Sequence, residues 1–199
     1  KIFFVMLKIR VIPILTFNGL SLVKTKQFKS PRIVGNPIQS ARVYNSRNVD
    51  ELVFIDIMAS KMNRKINLNL VKSVIEECFM PVTIGGGINS FQDISNLLKI
   101  GADKVLIKTK AIDDINFIKK VVEYFGSQCI SISVDAFSKE NKYYIKNLNN
   151  YELTMREFID NMNECDVGEY VINSVDQDGC MRGFDIKLLE QSSKLTKKP

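Results

Sequence analysis

The chain has 199 residues and contains no histidine. This absence excludes Ser-His-Asp and Cys-His catalysis, together with every metal site that depends on a histidine ligand. Any acid–base chemistry must therefore be carried by Asp, Glu, Lys or Cys side chains. We expect neither a metal nor a cofactor.

Paired cysteines and long apolar runs are also missing. Cys78, Cys129, Cys165 and Cys180 include no C-x-x-C pair, which fits a reducing cytoplasm better than a disulfide framework. No apolar run approaches the roughly 20 residues of a membrane span, so no membrane partner is expected. The opening residues 1–5 are too short for a signal peptide, and we expect them not to be native, with Met6 as a candidate start.

The net charge is +6, and 45% of the residues are hydrophobic, which is sufficient for a core. Two explanations of the charge stay open: ordinary solvated lysines, or a surface that attracts anionic small molecules. Nucleic acid is not an expected partner, because the basic residues are spread out rather than clustered with aromatics.

One pattern occurs twice in the chain. An acidic residue, an apolar strand, a polar loop and an apolar-faced helix begin at Glu51 and again at Glu169, at a constant offset of 118 residues. The strand that ends in Thr16 aligns with the strand that ends in Asp135 at an offset of 119. Solenoid repeats are roughly 20–50 residues long, so this longer period predicts two half-barrels.

Short β-branched segments alternate with segments of helical periodicity, which predicts parallel strands and crossover helices. A (β/α)8 barrel typically takes about 250 residues. We therefore predict one domain over residues 1–199, an α/β fold that is a TIM barrel of two half-barrel repeats, with the last two βα units missing. An open doubly wound sheet is the alternative. The predicted strands are 11–16, 52–56, 81–84, 104–107, 129–134 and 170–175, and the predicted helices are 37–47, 67–78, 90–100, 113–125, 154–163 and 185–194.

Two longer polar segments follow the first and fifth predicted strands. Barrel enzymes place active-site loops at these strand ends. Residues 17–35 include the cations Lys24, Lys26, Lys29 and Arg32, and residues 137–151 predict a hairpin with its turn at 139–142.

A glycine turn predicts an anion site. Gly85, Gly86 and Gly87 follow the third strand and precede a helix, so backbone N–H groups there can approach an anion closely. The next strand ends in Lys108 and Thr109, which add a cation and a hydroxyl suited to one phosphate. A tight turn without a ligand is the alternative.

Carboxylates end three of the strands: Asp56 closes the second, Asp135 the fifth, and Asp176 and Asp178 follow the sixth. Carboxylates at this end of barrel strands are typical of catalysis. We predict that role for Asp135, whereas Asp178 with Gly179 is also typical of a turn.

Charged residues also stand at the opposite strand ends. Arg10, Glu51, Lys104 and Glu169 each immediately precede a strand. Two cations and two anions at equivalent positions predict a ring at the floor of the barrel. A stabilising ion-pair network is the simpler interpretation of the same residues.

These segments together resemble the HisF family, the cyclase subunit of imidazole glycerol phosphate synthase. The similarity covers about residues 7–194 in matching order. The isomerase HisA shares the fold and the glycine turn, but the segments at 55–60 and 125–128 favour the cyclase. The resemblance is carried by residues 11–15, 50–60, 83–88, 101–105, 125–129 and 134–136.

The resemblance implies a partner and a reaction. A HisH glutaminase would dock at the N-terminal face as the other half of a heterodimer, and its ammonia would pass through the barrel. There it would react with a phosphoribulosyl-formimino carboxamide ribonucleotide, giving imidazole glycerol phosphate and an aminoimidazole carboxamide ribotide. By this resemblance, Gly87 and Thr109 belong to the phosphate site and Lys24 is the lysine of the mobile loop. The ring of four charged residues forms the channel entrance, and Asp103 faces the glutaminase.

Three positions depart from the family pattern. The family uses one aspartate at the end of strand 1 and one at the end of strand 5; here Asp135 is present, but Thr16 occupies the first position. Threonine cannot act as a base near neutral pH, and losing such a group commonly costs roughly 10²–10⁴-fold in rate. Lys108 replaces an asparagine beside the phosphate threonine, and Phe137 replaces a lysine.

Two functions remain in competition. The first is the histidine-pathway cyclase, with Asp135 as the main acid–base group, Lys24 or Asp178 assisting, and Asp56 and Asp176 at the substrate. The second is a HisF-like subunit that supplies ammonia to a sugar amidotransferase in surface-polysaccharide biosynthesis, with cyclase activity weakened or lost; Thr16, Lys108 and Phe137 favour it. A sugar-phosphate isomerase on the same fold is a third, more distant hypothesis.

Overall fold

The computed structural model describes residues 9–149 and 152–199. Residues 1–5 and Met6, which carry the expectation about the native start, lie outside the described residues. The described part of the chain forms one sheet of nine strands. The strands are β1 (Ile14–Phe17), β2 (Leu22–Lys26), β3 (Lys29–Gly35), β4 (Leu52–Asp56), β5 (Val82–Gly85), β6 (Lys104–Ile107), β7 (Ile130–Lys139), β8 (Lys142–Ile145) and β9 (Glu169–Ser174).

Six of these strands run parallel, in the order β1-β4-β5-β6-β7-β9. Helices separate them along the chain, as the alternating sequence pattern predicts. The helices are α1 (Pro37–Ser46), α2 (Leu68–Ile75), α3 (Phe91–Lys99), α4 (Thr109–Asp113), α5 (Ile115–Phe125), α6 (Met155–Glu164) and α7 (Ile186–Ser192).

Local sequence signals explain where several helices begin. The Asn36 side chain accepts hydrogen bonds from the first-turn amides of α1, and Pro37 stands in that turn, where its missing N–H costs nothing. Thr154 and Glu157 form the predicted capping box of α6. The helix predicted at 113–125 is confirmed as α5, whose first turn the Asp114 side chain caps, and the short helix α4 before it was not predicted.

Two antiparallel hairpins extend the parallel sheet. The predicted hairpin after the fifth parallel strand is present, with Lys139 opposite Lys142 at its turn. The polar segment 17–35 was not predicted to be a strand pair, yet β2 and β3 form a hairpin there, next to β1. The first parallel strand of each predicted half is therefore followed by a hairpin.

The core lies between the outer face of the sheet and the helices. Phe17 and Phe54 stack there with ring centroids 4.0 Å apart, and Ile84, Ile130 and Ile132 are buried beside them. Alternate residues face the other side of the sheet, which is the interior of a barrel. The TIM-barrel-type α/β fold is confirmed by the parallel order of the six strands, by the helices between them and by burial on both faces of the sheet.

Candidate functional site

The interior face of the sheet carries two polar layers. The lower layer lies at the amino ends of the strands and the upper layer at their carboxyl ends. Lys104, at the start of β6, belongs to the lower layer, and Lys108, just after β6, belongs to the upper one. Lys104 contacts Glu51, and Lys108 contacts Asp135. Four residues of extended chain separate the layers by about 13 Å.

The lower layer is a closed ring of the four predicted charged residues. Lys104 Nζ donates to Glu51 at 3.0 Å and to Glu169 at 3.1 Å. Arg10 pairs with Glu51 and lies 3.5 Å from Glu169. Burial acts to lower the pKa of Arg10, but the two carboxylates outweigh it and the pKa is raised. The structure thus brings all four residues together, and their role at a channel entrance stays a prediction.

Ser131 is a member of this ring that the sequence reasoning missed. Its hydroxyl donates to Glu169 at 3.1 Å from the neighbouring strand. The signal was available, since Ser131, Ser133 and Asp135 are polar at every second position of an otherwise apolar strand. In a barrel strand that period marks the interior face.

The upper layer centres on Asp135, whose side chain is 8% exposed. One carboxylate oxygen accepts from Ser133 at 3.1 Å and from Asn173 at 2.7 Å. The other forms an ion pair with Lys108 at 2.7 Å. Three donors therefore fix this predicted catalytic carboxylate in one orientation, and Ser133 and Asn173 are positioning residues that the sequence reasoning did not name.

Thr16 stands at the interior end of β1, as expected. Its hydroxyl donates to the Val23 carbonyl at 2.5 Å and so ties β1 to the hairpin. Among the described residues, no second carboxylate hydrogen-bonds within the Asp135 cluster. The site has one acidic group where the resembled family has two.

The glycine turn follows β5, and Lys108 and Thr109 follow the neighbouring strand β6 at the start of α4. Gly85 is opposite Leu106 in the β5–β6 ladder, so both segments leave the sheet at the same edge. Both turn glycines have positive φ, 110° at Gly86 and 68° at Gly87, and they turn toward the loop after β4. A shared phosphate site for these residues stays a prediction.

Asp56 is the last residue of β4. Its side chain has no exposed surface, and it receives a bidentate contact from Arg64 at 2.7 and 2.9 Å. It also accepts from the backbone amides of Met58 and Ala59. These bonds hold the loop after β4 and make Arg64 one of the residues that shape it, while the substrate contact predicted for Asp56 stays a prediction.

Asp176 and Asp178 fasten the two hairpins to the loop after β9. Asp176 accepts from the Ser138 amide of the second hairpin at 2.7 Å. Asp178 accepts from the Thr25 hydroxyl at 2.7 Å and the Phe28 amide at 3.1 Å, both in the first hairpin. Both carboxylates therefore hold loops together in this structure, and the assisting role of Asp178 and the substrate contact of Asp176 stay predictions.

Lys24 and Asp103 lie at opposite ends of the molecule. Lys24 is exposed on β2, opposite Arg32 of β3. The next residue along the chain, Thr25, donates to Asp178. Asp103 is exposed at the floor and accepts from the Val82 amide at 2.8 Å, which caps the start of β5. Lys24 thus borders the upper layer, and Asp103 lies on the face of the charged ring.

A cavity of about 260 Å³ opens beside the upper layer. Asn173, the partner of Asp135, lines one side, and Phe28 of the first hairpin lines another. Asp178 and Asp185 also face it, so its walls carry acid rather than the cations that a phosphate would need. This cavity is therefore not the predicted phosphate site, which lies with the residues that follow β5 and β6.

In residues 9–149 and 152–199, Cys, Asp and Glu side chains form no group of three or more arranged to hold a metal ion. None of the helices in those ranges combines the length and apolar character needed to cross a membrane.

Comparison with known proteins places these observations in a family. The model of the histidine biosynthesis protein family matches residues 10–199. A putative imidazole glycerol phosphate synthase subunit hisF2 from Vibrio vulnificus is 41% identical over 199 residues, covering 98% of this chain and 73% of that protein. A protein of the same name from Campylobacter jejuni is 40% identical, covering 93% and 75%.

A third relative is the imidazole glycerol phosphate synthase subunit HisF of an Exiguobacterium strain. It is 39% identical over 189 residues, covering 94% of this chain and 74% of that protein. A family match over nearly the whole chain, joined to this identity with HisF subunits, settles the relationship. The chain belongs to the histidine biosynthesis protein family, in its HisF group.

Proposed function

We propose that the chain is the synthase subunit of a two-component glutamine amidotransferase. In this proposal a HisH-type glutaminase docks at the floor, and its ammonia crosses the interior to a phosphorylated substrate at the upper layer. The observation that carries the proposal is the arrangement of two polar layers on one interior face, with a charged ring below and a fixed carboxylate above. The names of the relatives support the same assignment.

In this proposal the ammonia passes Val53 and Leu106, which lie on β4 and β6 between the two layers and are buried. An apolar lining of this kind disfavours a charged ammonium ion, because an ion that loses its water without a partner pays a large desolvation cost. Ammonia is uncharged, so it loses far less hydration free energy than ammonium when it enters apolar surroundings.

The proposed reaction is the cyclase step of the family. The substrate is a phosphoribulosyl-formimino carboxamide ribonucleotide, and the products are imidazole glycerol phosphate and an aminoimidazole carboxamide ribotide. Ammonia bonds to the carbonyl carbon of the ribulosyl group, and Asp135 accepts a proton from that nitrogen and returns one to the carbonyl oxygen, which leaves as water. The same nitrogen then bonds to the formimino carbon, and the C–N bond to the ribotide breaks, so that the ribotide leaves with its amine. The amides of Gly86 and Gly87, the Thr109 hydroxyl and Lys108 bind the phosphate.

One observation favours a second candidate, an ammonia-conducting subunit for a sugar amidotransferase. Thr16 replaces the strand-1 carboxylate, and its hydroxyl is already used by the Val23 carbonyl. Asp135 is the remaining carboxylate of that pair, and Lys108 neutralises it. The name hisF2 of two relatives is consistent with a second HisF-type protein in those organisms.

The deciding experiment measures turnover of the ribonucleotide with ammonium salts and, separately, activation of a co-expressed HisH-type glutaminase. A cyclase turns the substrate over. A conducting subunit activates the glutaminase without turnover, and Thr16→Asp then restores activity by about 10²-fold or more, since it supplies the missing acid–base group.

Thr16→Val is the matched control, because it removes the hydroxyl bond to Val23 without adding a carboxylate. It should leave turnover at the level of the unchanged chain. A chain that neither turns the substrate over nor activates the glutaminase would refute both forms of the proposal.

A further inference from the structure

Lys108 adjoins both the Asp135 carboxylate and a residue of the proposed phosphate site. Its ammonium is 2.7 Å from Asp135, and its backbone directly precedes Thr109. We propose that Lys108 is an exchangeable partner: it pairs with Asp135 while the anion site is empty, and moves to a phosphate when one binds, which frees Asp135 for proton transfer. This inference rests on the proposed function, because it assumes that a phosphorylated substrate is held beside Gly87 and Thr109.

The Asp135 end of the exchange is built to survive the loss of lysine. Ser133 and Asn173 donate to one carboxylate oxygen, and Lys108 alone pairs with the other among the described contacts. When Lys108 leaves, two neutral donors still fix the carboxylate, but its countercharge is gone. A carboxylate without a countercharge is a stronger base.

The Lys108 end has the freedom that the exchange requires. Its side chain is 29% exposed, against 8% for Asp135, and a lysine stem of four carbons rotates while its ammonium offers three donors. The next cation along the chain is unsuited to the role, because Lys110 is paired with Asp114 at 3.0 Å on the same short helix.

The exchange makes phosphate binding and the Asp135 charge compete for one cation. While Lys108 is paired with Asp135, phosphate must break that ion pair in order to bind. Removing the Asp135 charge should therefore strengthen phosphate binding by the free energy of the Lys108–Asp135 pair. For a partly exposed pair we expect about a three- to tenfold gain. A lysine that bound only Asp135, or only phosphate, would give no such coupling.

The test is a titration of the full chain with inorganic phosphate by isothermal calorimetry. Asp135→Asn should bind phosphate about three- to tenfold more tightly than the unchanged chain, and Lys108→Met should bind it more weakly. The double variant should match Lys108→Met, because the freed cation is absent. Asp135→Ser removes the same charge if the Asn variant fails to fold.

Lys110→Met and Asp114→Asn are the matched controls, since they break a lysine–aspartate pair on the same helix away from Asp135. Both should bind phosphate like the unchanged chain. Equal phosphate affinities for Asp135→Asn and the unchanged chain would overturn the exchange. A gain in phosphate affinity that persists in the double variant would overturn it too, and so would the absence of phosphate binding in every variant. The proposed function fails separately, through loss of substrate turnover and glutaminase activation.

Discussion

At the scale of single residues, Asp56 organises the loop after β4. Its carboxylate is fully buried, and Arg64 and two backbone amides supply its hydrogen bonds. The glycine turn packs against its backbone, because a side chain at Gly86 would place a Cβ only 2.3 Å from the Asp56 carbonyl oxygen. The positive φ of Gly86 adds strain for any other residue. The carboxylate, Arg64 and the glycine turn therefore form one structural unit.

Replacing Arg64 with Met tests that unit. The substitution leaves a buried, unpaired carboxylate, and breaking such a pair typically costs about 3–5 kcal/mol. We expect urea denaturation of Arg64→Met to show a loss of this size. The double variant with Asp56→Asn should recover part of the loss, because the buried charge is removed.

The control is Arg42→Met, which breaks an exposed pair with Glu77. Exposed ion pairs contribute little to stability, so this variant should denature close to the unchanged chain. Equal losses in Arg64→Met and Arg42→Met would contradict the view that the buried pair organises the loop.

At the scale of elements, α3 shows how capping and tertiary contacts combine. Ser90 and Asp93 form a reciprocal capping box at its start. Asp93 also accepts from Lys65 at 2.7 Å, in the loop that Arg64 anchors. One carboxylate therefore begins the helix and ties it to the loop beside the glycine turn.

Asp93 should make stability depend on pH. Burial acts to raise its pKa, but the bonds from Lys65, Ser90 and the Asn89 amide outweigh burial, so the pKa lies below 3.8. Because the pKa of Asp93 is lower in the folded chain than in the unfolded chain, its carboxylate stabilises the fold fully at pH values above the unfolded-state pKa. This stabilisation disappears as the pH falls through the folded-state pKa. We expect Asp93→Asn to cost about 1 kcal/mol at neutral pH, the size of a lost cap.

The measurement is the melting temperature of Asp93→Asn and the unchanged chain at several pH values. The two curves should differ above about pH 5 and converge as the pH falls below 3.8. Parallel curves over the whole range would show that Asp93 acts through shape alone.

Sequence reasoning predicted those features that depend on neighbours in the chain. The α6 capping box and the Lys139–Lys142 turn were found because each lies within four residues. The ion pair of Lys108 with Asp135 spans 27 residues, and it depends on the register of β6 against β7, which no local pattern specifies. The hairpin at 17–35 was missed because its strands are polar and β3 is exposed throughout, so hydrophobic alternation gives no signal.

At the scale of the whole molecule, the charged ring connects distant parts of the chain. Arg10 and Glu169 are 159 residues apart in sequence, and each cation of the ring bridges both carboxylates. The ring therefore fixes the register of β1, β4, β6 and β9 at the floor. It also lies directly below the interior that the proposed function assigns to ammonia.

Lys104→Met tests whether the ring does more than stabilise the sheet. Without its ammonium, Arg10 alone is left to balance the charges of Glu51 and Glu169, so the ring loosens and stability should fall. If the ring also controls ammonia transfer, more glutamine should be hydrolysed by the HisH-type partner for each ammonia used. The measurement is the ratio of glutamate formed to ammonia incorporated, which does not depend on the folded fraction.

We expect a ratio near one for the unchanged chain and a ratio at least about twofold higher for Lys104→Met. Lys119→Met is the control, because its pair with Glu164 is exposed and 3.5 Å long; its ratio should not change. A Lys104→Met variant that is less stable but keeps a ratio near one would limit the ring to a structural role. Ammonia transfer would then not depend on the Lys104 ammonium.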